Sequence, residues 1–115
     1  MIKTSYFKKA RDIPNAVSIA RSDFPWSMKG YRFKKYPTLM PTIALLRSWK
    51  KGNLTESQYS RRYYKETLGK LNPEKVYKDL DGKILLCHEP SGNFCHRRLV
   101  AKWIKDLLGI EVPEL

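Results

Sequence analysis

The sequence predicts a small α/β domain whose short, mostly parallel central sheet is flanked by helices. Three observations lead there. The apolar and turn signals fall in the order strand, strand, helices, strand, helix, which is the pattern of a layered α/β unit. The run "KILLC" at 83–87 is continuously apolar and bounded by turn residues, as in a strand buried on both faces. The segment "FCHRRLVAKWIKDLLG" at 94–109 carries one apolar stripe at helical spacing and ends on a glycine. At 115 residues the chain reads as a single domain, long enough to bury a core without metal or disulfide support.

Each element has its own signal. "IKTSYF" at 2–7 alternates loosely and "NAVSIA" at 15–20 is short and β-branched, so both read as strands. The link between them, "KKARDIP", is too short for a crossover helix between parallel neighbours, so the connection is unusual or the pair is not parallel. Residues 21–38 show no period. Pro25, Gly30 and Pro37 break the segment, and Trp26, Tyr31, Phe33 and Tyr36 alternate with Arg32, Lys34 and Lys35, which suits a surface loop able to stack on bases.

Pro41 reads as the first residue of a helix that stops at Gly52. Thr55 and Gln58 form a capping-box pattern ahead of a second helix. Asn72-Pro73 opens a short third one, closed by Asp81-Gly82. After the buried strand, "HEPSGN" is a turn cluster with Asn93 as the expected N-cap, which makes Phe94, Cys95 and His96 the first helical residues.

At about 100° per residue, His96 falls about 20° from Trp103, inside the arc that holds Leu99, Val100 and Leu107. Cys95 and Arg97 lie at the edges of that arc, and Arg98 points to solvent with Lys102 and Lys105. In open α/β sheets, ligands bind outside the carboxyl ends of the strands. That rule gathers Arg21, Cys87, Glu89, Cys95, His96 and Arg97 into one candidate ligand pocket at the strand ends and the start of the last helix, where unpaired N–H groups and the helix dipole favour an anion.

The formal net charge of +12 attracts anions, so phosphorylated small molecules and nucleic acid are the expected partners. No segment has the length of a spanning helix and the N-terminus lacks an apolar signal core, so no membrane association and a cytoplasmic location are expected. Two cysteines in such a chain are expected as free thiols, with Cys95 made reactive by its place in the first helical turn. Adjacent Cys87 and His88 point to opposite faces of a strand, so no zinc site of the paired Cys-His type, and no cofactor, is expected.

Three functions compete. Binding of a phosphorylated ligand, most simply a nucleotide, uses the crevice. Catalysis on a nucleotide or nucleic acid uses Cys95 as nucleophile, or His96 and Glu89 as acid and base. Sequence-independent nucleic-acid binding uses only the basic surface.

"KILLCHEPSGNFCHRRLVAKW" resembles the C-terminal signature of the family catalogued as domain of unknown function 488, in which an apolar strand ending Leu-Cys-x-Glu precedes Cys-His-Arg and an apolar helix. "VSIARSD" at 17–23 and "YPTLMPT" ahead of the first helix resemble small members of the group. The resemblance implies an α/β fold and marks Cys87, Glu89, Cys95, His96 and Arg97 as matched positions. It carries no activity with it.

Overall fold

Strand β4 (Ile84–Cys87) is the centre of the molecule, and all four of its residues are buried. A computed structural model describes residues 1–10, 13–21, 33–89 and 91–115. Around β4 lie β1 (Lys3–Tyr6), β2 (Ala16–Ser18) and the short β3 (Lys34–Lys35). The sheet order is β1-β4-β2-β3 and every pairing is parallel. The short link after β1 is thereby accounted for. β1 and β2 are parallel but are not neighbours, because β4 lies between them, and the described residues of the link, 7–10 and 13–15, are held by turn hydrogen bonds such as Ala10 N–H to the Tyr6 carbonyl and Ile13 N–H to the Ala10 carbonyl.

Helices α1 (Ile43–Lys50), α2 (Glu56–Glu66) and α3 (Pro73–Leu80) occupy the crossover from β3 to β4, and α4 (His96–Leu108) follows β4. Their buried faces and those of β2 and β4 form one core, including Leu45, Tyr63, Val76, Leu85, Trp103 and Ile104. A smaller apolar cluster, with Phe7, Ala16, Leu86, Cys87 and Cys95, has Phe33 and Leu115 packed against it.

The local rules hold where the chain supplies its own partners. The Thr55 hydroxyl accepts the Gln58 N–H while the Gln58 side chain accepts the Thr55 N–H, the reciprocal box that satisfies two orphan amides at the start of α2. Asn72 caps α3 through the amides of Glu74 and Lys75. Gly109 ends α4 in the left-handed region at φ 69°.

Four expectations are corrected. The segment read as loop at 21–38 contains β3, whose two exposed lysines carry no strand period and are recruited by pairing with Val17 and Ser18, and then a 3-10 turn at Pro37–Leu39. Its residues 22–32, with Trp26, Tyr31 and Arg32, lie outside the described residues. α1 is capped by Thr42, whose hydroxyl accepts the Leu45 N–H, so Pro41 precedes the helix rather than opening it. α4 is capped by Cys95 rather than Asn93, because a turn at Ser91-Gly92 takes up Asn93 before the helical geometry begins. Leu107 is exposed, while Leu108 in the same turn packs against the core.

The C-terminal residues pack along the outer edge of β1. Thr4 N–H donates to the Pro113 carbonyl and Leu115 N–H to the Thr4 carbonyl, which covers a sheet edge that would otherwise present unpaired backbone groups.

Candidate active site at the carboxyl end of β4

The strand ends of a parallel sheet expose the last residue of each strand and the loop behind it. Here the loop after β4 turns back at once, bringing the N-terminus of α4 over the end of the strand it has just left. Cys87 closes β4 and Cys95 caps α4, and the two are joined as a disulfide across Cα atoms 7.2 Å apart. The expectation of two free thiols is overturned. That expectation rests on compartment, whereas proximity decides: the chain leaves β4 at Cys87 and starts α4 after Cys95, eight residues on, which brings the two sulfurs together.

Among the described residues Arg97 is the most deeply buried charge, with no exposed surface. Its Nε and Nη2 donate to the two carboxylate oxygens of Glu114 at 3.0 and 2.7 Å, while Nη1 reaches the Cys87 sulfur at 3.1 Å. Its guanidinium also lies over the Tyr6 ring. Burying a guanidinium is costly unless a partner and further bonds satisfy it, and Glu114 supplies two of those bonds. Thr4 and Ser91 hydroxyls bond the same carboxylate, so Glu114 ties β1, the β4–α4 loop and α4 together. Burial alone would raise the Glu114 carboxyl; the bonds from Arg97, Thr4 and Ser91 outweigh it and hold the group down at about 2.

His96 is the first residue of α4 and is buried. Its Nε2 lies 2.7 Å from the Ile19 carbonyl and must donate to it, which leaves Nδ1 as the unprotonated nitrogen, 3.8 Å from the Cys95 sulfur. Burial pushes the imidazole down to about 4; the bond to Ile19 opposes this, while the charge of Arg97 and the proximity of His88 add to it. The ring is neutral at pH 7. With the disulfide intact, the unfolded chain takes up this proton below about pH 6.5 and the native protein does not. Stability is therefore expected to be complete above pH 6.5 and to fall by about 3 kcal/mol as pH drops toward 4. A second loss follows as pH falls from 4.5 toward 2, when the Glu114 carboxylate is protonated. Urea titrations at stepped pH check this, and a His96→Gln variant should lose only the first step.

Above the disulfide opens a cavity of about 480 Å³. Its floor is Cys87, Cys95 and His96, and one wall is aromatic, from Trp49, Tyr59 and Phe94. These three rings stack edge and face with centroids 5.1 to 5.4 Å apart, so the wall is a single packed unit. Burial raises the Tyr59 phenol, which stays protonated and can donate. The rim carries charge, from Arg21, Lys50 and Glu89. Arg21 is oriented by donation from Nε to the Pro41 carbonyl.

The structure thus places Arg21, Cys87, Glu89, Cys95 and His96 around one cavity, and places Arg97 behind its floor, where its charge is met by Glu114 rather than by a ligand. Arg98, read as a solvent residue, is exposed but bonds the Thr4 hydroxyl and the Val112 carbonyl through Nη1. Sequence reasoning missed Trp49, Tyr59 and Lys50 because helical spacing marks Trp49 and Tyr59 only as apolar positions, and Glu114 because no local pattern links "EVPEL" to α4.

Among curated proteins and among solved structures, none matches this chain. A family model does, described as DUF488-N3a, the active DUF488-N3 subclade, and it spans residues 7–108, from the end of β1 to the end of α4. The span includes both cysteines, His96 and Arg97, and on it the chain belongs to the DUF488-N3a family.

Proposed function

We propose that the protein is a cysteine-dependent enzyme that binds a small anionic ligand bearing a planar ring, most simply a nucleotide, and that Cys87 is the nucleophile of its reduced state. The observation that carries the reading is the Arg97 Nη1 donor 3.1 Å from the Cys87 sulfur at the floor of an open cavity. A guanidinium N–H directed at a sulfur stabilises the thiolate over the thiol, and the thiolate is the nucleophile. Cys95 lacks that donor; its sulfur faces the unprotonated nitrogen of a neutral imidazole, which accepts a hydrogen bond from the thiol and so favours its protonated form. This reading moves the nucleophile from Cys95, where the sequence suggests it, to Cys87.

The remaining walls suit the ligand. The aromatic unit of Trp49, Tyr59 and Phe94 offers a face for a ring, and Arg21 and Lys50 offer charge for a phosphate at the rim. The cavity volume falls within the usual range for small-molecule sites, about 300 to 1,000 Å³. The description of the matched subclade as active accords with chemistry at this site. In a reducing compartment the cysteine pair is kept as thiols, and the disulfide is the inactive, oxidised form of the pair.

Titration of the reduced protein with mononucleotides tests the binding half of the proposal. Arg21→Ala and Lys50→Ala are each expected to weaken binding by roughly three- to tenfold, the scale of a charged contact at an exposed rim, whereas Lys102→Ala on the far side of α4 leaves it unchanged. Affinity should fall less than about tenfold between low and physiological salt, because few phosphate charges are met. Nucleic acid binding with a steep salt slope, and no mononucleotide binding at either salt, would replace the pocket by a diffuse basic surface.

A further inference from the structure

We infer that the reduced cysteine pair, together with His96, forms a site for one thiophilic divalent cation of the zinc class. The Cys87 and Cys95 sulfurs and a ring nitrogen of His96 all lie within 4.8 Å of one another, and all three residues are buried. Zinc takes sulfur at about 2.3 Å and imidazole nitrogen at about 2.0–2.1 Å in a tetrahedron, which sets a nitrogen–sulfur edge of about 3.6 Å. The Nδ1 of His96 stands 3.8 Å from the Cys95 sulfur. The tautomer is also the required one, since the Ile19 carbonyl takes the Nε2 proton and leaves the Nδ1 lone pair on the sulfur side.

The backbone leaves room for the ion. Disulfides usually join Cα atoms about 4.4–6.8 Å apart, and the 7.2 Å spacing here lets the two sulfurs move apart without drawing the strand end and the helix start further from each other. Two outer contacts are in place, Ile19 on the imidazole and Arg97 Nη1 on the Cys87 sulfur, of the kind that orient metal ligands. All three residues line the cavity, which leaves space beside them for a fourth ligand from water or a bound molecule. Sequence reading rejected the pairing of Cys87 with His88; the set that converges instead takes two neighbours at the start of α4, brought over the strand end by the loop.

The chemistry balances in two steps. Two molecules of a small thiol reduce the disulfide, giving two cysteine thiols and one external disulfide. The cation then binds both sulfurs and Nδ1 and releases the two thiol protons, with no change in its own oxidation state. The site itself is independent of the enzymatic reading. What rests on that reading is the consequence that a bound cation, like the disulfide, withholds Cys87 from a substrate.

The test uses the full chain, reduced and kept without oxygen, titrated with cobalt(II) and then zinc(II). One equivalent of cobalt is expected to produce a sulfur-to-cobalt charge-transfer band and the intense visible bands of a four-coordinate ion, both removed by zinc. Cys95→Ser should about halve the charge-transfer intensity and weaken affinity at least tenfold, roughly the lower end of what losing even an outer-shell partner costs. His96→Gln should keep the intensity and weaken affinity, His88→Gln should change neither, and the oxidised protein should bind no cobalt. No band in the reduced protein, a band indifferent to Cys95→Ser, or a band lost with His88→Gln would overturn the site. Alkylation of Cys87 in the metal-free protein, measured alongside, reports on the nucleophile separately; zinc should block it.

Discussion

Glu114→Gln is expected to destabilise the native state by about 3–5 kcal/mol, the cost of leaving one member of a buried ion pair without its partner. Arg97 has no exposed surface, and both of the Glu114 oxygens bind it. The amide keeps the shape of the carboxylate but offers one oxygen instead of two, and its NH2 group is turned against a guanidinium N–H. The same carboxylate accepts from Thr4 and Ser91, so the loss spreads from α4 to β1 and to the loop after β4. Urea unfolding of the two proteins at neutral pH measures it. A double variant, Arg97→Met with Glu114→Leu, is expected to recover most of the loss, because replacing a buried pair by apolar groups of similar volume is close to neutral. A loss under about 1 kcal/mol for Glu114→Gln would mean that water, rather than the carboxylate, satisfies Arg97.

On the proposed reading, Cys87→Ser is expected to lower turnover by at least about a thousandfold, as removal of a covalent nucleophile does, while leaving the fold in place. Cys95→Ser is expected to retain much of the activity under reducing conditions and to remove the block imposed by oxidation, since no disulfide can then form. Arg97→Met separates position from chemistry. With Glu114→Leu to keep the core neutral, it should preserve the cavity and ligand affinity while lowering the thiolate fraction of Cys87. Comparison of the rate constant with the binding constant distinguishes the two. Equal activity in Cys87→Ser and the parent protein would remove the nucleophile from the account.

The parts of the fold legible in sequence are those whose signal is local. The apolar run of β4, the Thr55–Gln58 box and the glycine stop of α4 each follow from a few neighbouring residues, and each stands where expected. β3 is not local. Lys34 and Lys35 become a strand only because Val17 and Ser18 offer backbone partners. The start of α4 shows a competition in which Asn93 has the better capping propensity, yet the turn through Gly92, at φ 90°, delays the helix until Cys95.

The site divides along the same line. Helical angles place His96 toward the sheet, and the rule for parallel sheets brings Arg21, Cys87, Glu89 and Cys95 to the same end. The wheel also puts Arg97 inward, but only the packing of the C-terminal segment supplies Glu114, and with it turns a ligand guanidinium into a buried one held against Cys87. Pairing of the two cysteines depends on the path of an eight-residue separation that composition does not encode.

The pH dependence of alkylation at each cysteine in the reduced, metal-free protein, resolved by peptide mass analysis, tests the assignment of Cys87 as nucleophile most directly. Arg97 at 3.1 Å predicts that Cys87 reacts faster than Cys95 and reaches its full rate at a lower pH, because the guanidinium N–H favours its thiolate. Cys95, without a guanidinium donor at its sulfur, should gain rate at higher pH than Cys87. A Cys87 rate that follows an ordinary thiol of pKa about 8.5, or a Cys95 that reacts first, would contradict it.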